Sequence, residues 1–200
     1  MGKLVVSTNV SLDGVVQDPD GADGSPAGNW FADHGGDLAE WRRLGFEETR
    51  RADALLLGRR TDAWFASRWT TRQGEWADAM NSLPKYVVSS TGEPAAWTNA
   101  TVLEGEISAA VGALKAAVDG EILVYGSGQL ARALLAHDLV DEVRLFIFPV
   151  LLGSGARLFG ASDVPQGLRL LSVEAVGEGL VFVRYAGSAT PAPVEPIRRS

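Results

Sequence analysis

Residues 121–130, EILVYGSGQL, decide how the chain is read. A short apolar run, Ile122-Leu123-Val124-Tyr125, stops at Gly126-Ser127-Gly128 and passes into Gln129-Leu130-Ala131-Arg132-Ala133-Leu134-Leu135. The pattern predicts a buried strand, a glycine turn and a helix in direct succession. Glycine lets backbone approach a bulky group with no side chain in the way. The first amides of a helix have no partner within it, so such a turn is a ready seat for a phosphate or pyrophosphate. An ordinary strand-to-helix turn uses the same residues, and the rest of the chain has to choose between the two.

Composition narrows the choice. At 200 residues the chain fits one domain with a substantial core. Its 46% hydrophobic and 22% charged residues are those of a soluble globular protein. A net charge of -7 argues against a basic nucleic-acid-binding surface. With no cysteine, disulfides, thiolate metal sites and cysteine nucleophiles are excluded. The two histidines, His34 and His137, lack the spacing of a histidine metal site. The opening MGKLVVSTNVSLDG is too polar for a signal peptide. No run is long enough to span a membrane, so the expected place is the cytoplasm.

Outward from the glycine turn, apolar strands alternate with helices. Strands are expected at 3–12, 53–58, 84–90, 100–103, 122–125 and 140–152, and a closing hairpin at 168–176 and 180–185. Helices are expected at 37–52, from Arg59 onward, at 74–83, at 107–118 and after Gly128. Residues 17–36 read as one long loop, and 187–200 as a disordered tail after a domain spanning 1–186. The fold class is α/β, in three layers, with a mostly parallel central sheet and an antiparallel C-terminal hairpin. In such sheets ligands sit beyond the carboxyl ends of the strands. Three strands end in small or polar residues, at Gly58-Arg59-Arg60-Thr61, Ser89-Ser90-Thr91 and Gly126-Ser127-Gly128. Their convergence on one edge favours a nucleotide site.

Five segments carry a resemblance. They are Ser11-Leu12-Asp13-Gly14, Leu57-Gly58-Arg59-Arg60-Thr61, Lys85-Tyr86-Val87-Val88-Ser89-Ser90-Thr91, Tyr125-Gly126-Ser127-Gly128-Gln129-Leu130 and Pro149-Val150-Leu151-Leu152-Gly153-Ser154-Gly155. In this order the chain resembles the dihydrofolate reductase-like family. It is most similar to the branch formed by the reductase domain of bifunctional riboflavin-biosynthesis proteins, the RibD C-terminal domain. The resemblance implies NADPH binding and hydride transfer to a pteridine- or pyrimidine-type heterocycle, as in 5-amino-6-(5-phosphoribosylamino)uracil reduction. It places Gly58, Arg59, Arg60 and Thr61 along the cofactor phosphates and Ser89, Ser90 and Thr91 at the adenosine end. It puts Gly126, Ser127, Gly128, Gln129 and Leu130 around the pyrophosphate, and Ser11, Asp13 and Gly14 on the substrate side. Where the family commonly has two glycines this chain has Gly126-Ser127, which suits a serine of negative φ. An arginine fork at a helix start suits a phosphate.

Reduction of C=N or C=O also needs a proton delivered nearby. Asp13 is the first candidate, against the alternative of a structural Asp-Gly turn. Asp37 reads as a helix cap. Glu47 and Glu48, beside Arg50 and Arg51, read as a solvated ion-paired face. Among the aromatics, Trp30 is the expected pocket residue, whereas Trp41 and Trp64 suit the core. Residues 143–152 are apolar enough for a homodimer contact through Phe146, Phe148 and Leu151. A catalytically inactive nucleotide-binding or sensing protein of the same fold is the alternative to an enzyme.

Overall fold

The structure, a computed structural model, describes residues 1–89, 93–160 and 165–187. The strands are β1 (Lys3–Ser11), β2 (Ala52–Gly58), β3 (Lys85–Val88), β4 (Ala100–Leu103), β5 (Glu121–Tyr125), β6 (Glu142–Phe148), β7 (Arg169–Val176) and β8 (Leu180–Ala186). The helices are α1 (Trp30–His34), α2 (Ala39–Arg51), α3 (Arg59–Trp69), α4 (Glu75–Ser82), α5 (Ile107–Ala117) and α6 (Gly128–Ala136). All form one eight-stranded sheet in the order β4-β3-β2-β5-β1-β6-β8-β7. The first six strands are parallel, and β8 and β7 run antiparallel at one edge. This is the α/β class the strand–helix alternation predicts.

Local chemistry sets the element ends. The seven residues of β2 include Leu55, Leu56 and Leu57, all fully buried, because helices cover both faces of the sheet there. Glu106 caps α5 by accepting from the Ala109 amide at 3.0 Å. The Asp37 carboxylate accepts from the Ala39 amide at 2.9 Å, at the start of α2. Most expected bounds shift by one or two residues, and two differences are larger. The long loop contains α1, because Trp30 and Phe31 pack on Phe148 at ring-centroid distances of 5.2 Å each. The strand expected to reach residue 152 ends at Phe148, since Pro149 has no N–H to continue the ladder.

The core lies in two layers. On one face α5 and α6 cover Leu4, Val6, Leu56, Ile122, Val124 and Val143. The other face is divided. Val5, Leu55, Leu57 and Leu123 pack with α3 and α4 in one cluster, and Phe146, Phe148 and Phe182 pack with Trp30 in a second. The division follows from alternation along β1. Val5 faces this layer, and the next two residues on the same side are Ser7 and Asn9. Ser7 pairs with Tyr125 on β5 and with Arg144 on β6, and Arg144 pairs with Arg184 on β8. A row of polar groups therefore crosses the sheet between two apolar clusters.

Candidate active site

Because β3, β2 and β5 are parallel neighbours, their carboxyl ends meet at one rim. Gly58, Ser89 and Gly126 lie there side by side, and the Gly58 amide donates to Ser127 Oγ at 3.1 Å. Gly126 has φ 54° and Ser127 φ 52°, so both occupy the left-handed region. The negative φ expected of Ser127 is corrected: this turn needs two consecutive left-handed residues, which explains why glycine suits both. In this chain the Ser127 hydroxyl offsets the conformational cost by tying the turn to β2.

The rim fits a dinucleotide's phosphates. The residues that precede α3 and α6, Gly58 and Ser127, make no side-chain hydrogen bond that caps either helix. A Cβ at Gly126 meets only Thr61 Cγ2, at 3.8 Å, so the space over the turn is open. Thr61, Gly128, Gln129 and Leu130 open the two helices. Arg60 is exposed there. Arg59 is ion-paired with Glu93 and shares its charge with that carboxylate. Ser90 and Thr91 lie outside the described residues.

From this rim a cleft of about 80 Å³ runs under α2. Its walls are the rings of Trp41, Phe65, Trp76, Tyr125 and Phe146, and its floor is Ser7, Thr8, Asn9 and Gly126. The rings are fixed by polar anchors. Trp41 Nε1 donates to Asn9 Oδ1 at 2.9 Å, Trp76 Nε1 to Thr49 Oγ1 at 2.8 Å, and the Tyr125 hydroxyl to the Gly45 carbonyl at 3.1 Å. Aromatic walls with few, fixed polar groups suit a flat heterocycle.

Glu48 is the acid of this cleft. It is 4% exposed, which corrects its reading as a solvated residue; Glu47 alone forms the surface pairs, with Arg43 and Arg51. One turn of helix separates Trp41, Gly45 and Glu48 from each other along a single stripe, so the apolar stripe ends in a carboxyl. Glu48 Oε2 accepts from Ser7 Oγ at 2.9 Å and Oε1 from Arg144 Nη1 at 3.2 Å. Burial pushes its carboxyl above the usual 4.5, against the pull of Arg144 and Ser7. Arg144 does not cancel that push because it is engaged elsewhere. It holds Glu121 through two bonds of 2.8 and 2.7 Å and Glu142 at 2.6 Å. Glu142 is fully buried, yet hydrogen bonds from Arg184, Arg144 and Lys3 outweigh burial and hold it at about 2. The network thus contains one firmly ionised carboxylate, Glu142, and one, Glu48, biased toward its neutral form.

Other expected residues are placed differently. Asp13 accepts from Ser11 Oγ at 2.7 Å and from the Leu152 and Gly153 amides at 3.1 and 2.9 Å, with Arg157 at 3.5 Å. Its hydrogen bonds, that of Ser11 first, lower it to about 2. So held, Asp13 straps the first turn to the 149–155 segment and does not line the cleft. Gly14, at φ 88°, closes that turn, and Ser11 Oγ also accepts from the Val15 amide at 2.8 Å. Trp30 is 1% exposed, donates to the Gln17 carbonyl at 2.9 Å and does not line the cleft, so its pocket role is corrected to core. Trp41, expected in the core, is in the cleft wall. Sequence reasoning missed Ser7 and Asn9 and misread Glu48. The signal for the first two was polar residues on the inward side of an otherwise apolar strand.

Comparison with known proteins agrees with the fold. The model of the RibD C-terminal domain matches residues 2–182. The uncharacterized protein YyaP of Bacillus subtilis (strain 168) is 30% identical over 154 residues, covering 71% of this chain and 78% of that protein. A Shewanella sp. PV-4 protein provisionally assigned to riboflavin biosynthesis superposes with TM-score 0.73 at 23% identity, covering 93% of this chain and 99% of that one. A pyrimidine reductase-like protein of Corynebacterium diphtheriae gives TM-score 0.64 at 16% identity, with 94% and 93% covered. The Thermotoga maritima diaminohydroxyphosphoribosylaminopyrimidine deaminase/5-amino-6-(5-phosphoribosylamino)uracil reductase gives 0.64 at 16% identity; 94% of this chain matches 57% of that longer protein. The fold is thus the dihydrofolate reductase-like one of these structures, and the chain belongs to the RibD C-terminal domain family.

Proposed function

We propose that this protein is an NADPH-dependent reductase that transfers a hydride to a small pteridine- or pyrimidine-type heterocycle held in the aromatic cleft. One observation carries the reading: Gly126 both closes the left-handed turn at the rim and floors the cleft that contains Glu48. The Gly126–Leu130 segment would hold the pyrophosphate of a dinucleotide at the rim of the cleft that Glu48 lines. Gly58, Arg60 and Thr61 take the phosphates from the α3 side, and Ser89 lies on the same rim.

When bound, NADPH supplies the hydride. The residues of this chain do the rest. Trp41, Trp76 and Phe146 hold the ring flat and exclude water, which strengthens every polar interaction within the cleft. Ser7 and Asn9 present hydrogen-bonding groups on its floor. Glu48, biased neutral by burial, donates the proton that hydride addition requires.

The test is a titration of NADPH followed by quenching of tryptophan fluorescence. Saturable binding is expected, and no binding at millimolar concentration rejects the proposal. Turnover of NADPH with the ribosylamino-pyrimidine or with dihydrofolate then separates an enzyme from a nucleotide-binding sensor, which would bind without turnover.

We further propose a homodimer, by a different surface from the one the sequence suggests. Phe146 and Phe148 are 3% and 0% exposed and are excluded as contacts; Leu151 is 73% exposed. The stronger candidate is β7. It is an edge strand whose Leu170 and Val173 are 52% and 60% exposed, next to Val181 on β8. A long apolar edge needs cover, and a second copy pairing about a two-fold axis supplies it. Among the described residues no helix is long and apolar enough to cross a membrane; a cytoplasmic place remains part of this proposal.

A further inference from the structure

Behind the cleft lies a second, larger cavity of about 240 Å³, between α2 and the β7–β8 hairpin. Its walls are polar: Arg43, Glu47 and Arg51 from α2, Ser172 and Glu174 from β7, and Arg184 from β8. Most of these are exposed, so the cavity is open to water. Glu48 lines both spaces. Its two oxygens also divide between them: Oε2 bonds Ser7 on the cleft floor, and Oε1 bonds Arg144, which lines the outer cavity.

We infer that Glu48 is a two-sided proton relay, recharged from water in the arginine-lined cavity and discharged through Ser7 into the aromatic cleft. This rests on the reductase reading of the cleft and extends it. During turnover the cleft is filled by the ring and the cofactor, so the carboxylate left after donation cannot be reprotonated from that side without product release. The outer cavity removes that constraint. The balance is simple. NADPH, when bound, would supply the hydride to the substrate carbon and leave as its oxidised form, and the adjacent N or O would take a proton from the Ser7 hydroxyl. Ser7 takes the proton of the Glu48 carboxyl, and the Glu48 carboxylate takes one from water in the outer cavity. A serine hydroxyl suits the middle position because it donates and accepts and can reverse its direction.

The charges that face Glu48 support the one-way arrangement. Arg144 on β6 stabilises the carboxylate between donation and recharging, and Ser7 on β1 is its other hydrogen-bond partner among the described residues. Glu121 on β5 and Glu142 on β6 hold Arg144, Lys3 and Arg184 hold Glu142, and the Tyr125 hydroxyl, pushed up by burial, stays neutral. Glu47, on the neighbouring position of α2, and Glu174, on β7, stand at the outer mouth.

The test needs no substrate. Trp41 and Trp76 line the cleft beside Glu48, so their fluorescence in the free protein reports its titration. A photoacid-triggered pH jump should give a relaxation that Glu48→Gln abolishes. Ser172→Phe, which plugs the outer cavity from the exposed β7 strand, should slow it at least tenfold without moving the equilibrium midpoint. Ser7→Ala, which removes a bond that pulls Glu48 down, should raise the midpoint, and Ser172→Phe in that background should still slow the relaxation. The relay is overturned if the plug has no effect on the rate in either background, or if Glu48→Gln retains the relaxation. Circular dichroism checks that each variant is folded, and Ser172→Leu repeats the plug with a smaller side chain if the first fails. NADPH binding is measured separately. Loss of the relay with intact cofactor binding removes this inference alone, and absent cofactor binding removes the reductase reading while the proton route stands or falls on its own data.

Discussion

The amide of Gly58 donates to Oγ of Ser127 at 3.1 Å, and this bond joins the ends of two strands that are 69 positions apart in sequence. It also accounts for a serine in a left-handed turn. Losing the hydroxyl while keeping the Cβ removes the bond and leaves the backbone cost. Ser127→Ala should therefore destabilise by about 1 kcal/mol. Ser127→Gly loses the same bond but recovers about 1 kcal/mol of left-handed strain, and should be near neutral. Urea denaturation of the two variants checks the order; equal losses would remove the account.

Glu48 should leave a mark on stability as a function of pH. Its folded pKa is raised, so the native state holds that proton more tightly than the unfolded chain does. The contribution is fully present below the unfolded value near 4.5 and is lost as pH rises through the raised folded value. Wild type should lose stability on that upward path, and Glu48→Gln should show a flatter profile there. Under the proposed function the same variant should bind NADPH normally and lose turnover by roughly 10²- to 10⁴-fold. Parallel denaturation curves for the two proteins across this range would contradict the assignment.

Asp13 gives the opposite slope. Its folded pKa is lowered to about 2 from 3.8, so its contribution is present above 3.8 and disappears as pH falls toward 2. Asp13→Asn loses the acceptor for the Gly153 amide and should destabilise by about 1 kcal/mol at neutral pH, with turnover close to wild type. A collapse in turnover without loss of stability would restore Asp13 as the acid.

The β7 edge predicts an assembly. Sedimentation should give a species near twice 21.2 kDa, and Val173→Asp should yield a monomer with unchanged circular dichroism. A monomeric wild type would remove the proposed contact.

The strand–helix alternation is written into local residue patterns, and for that reason the element order and the shared rim of Gly58, Ser89 and Gly126 could be read from the sequence. Glycine turns and apolar runs are local features. Glu48 was not legible in the same way, because its hydrogen-bond partners are not its neighbours in sequence, Arg50 and Arg51. Its partners come from β1 and β6, brought together only by sheet order. Trp30 and Trp41 exchanged roles for a similar reason. Their burial depends on which apolar cluster their helices dock on, and that cannot be told from a loop's composition. Asp13 was legible as a turn residue, while its bonds to residues 152 and 153 were not, since they span 139 and 140 positions.

Because polar residues separate the apolar packing beneath α2 into two blocks, the seam between them is held by side-chain anchors more than by close contact. A compound that seats in that seam acts as mortar, and the protein should melt at a higher temperature by the amount its occupancy dictates. The natural substrate can thus be sought by heating the protein with candidate heterocycles, before any reaction has been observed.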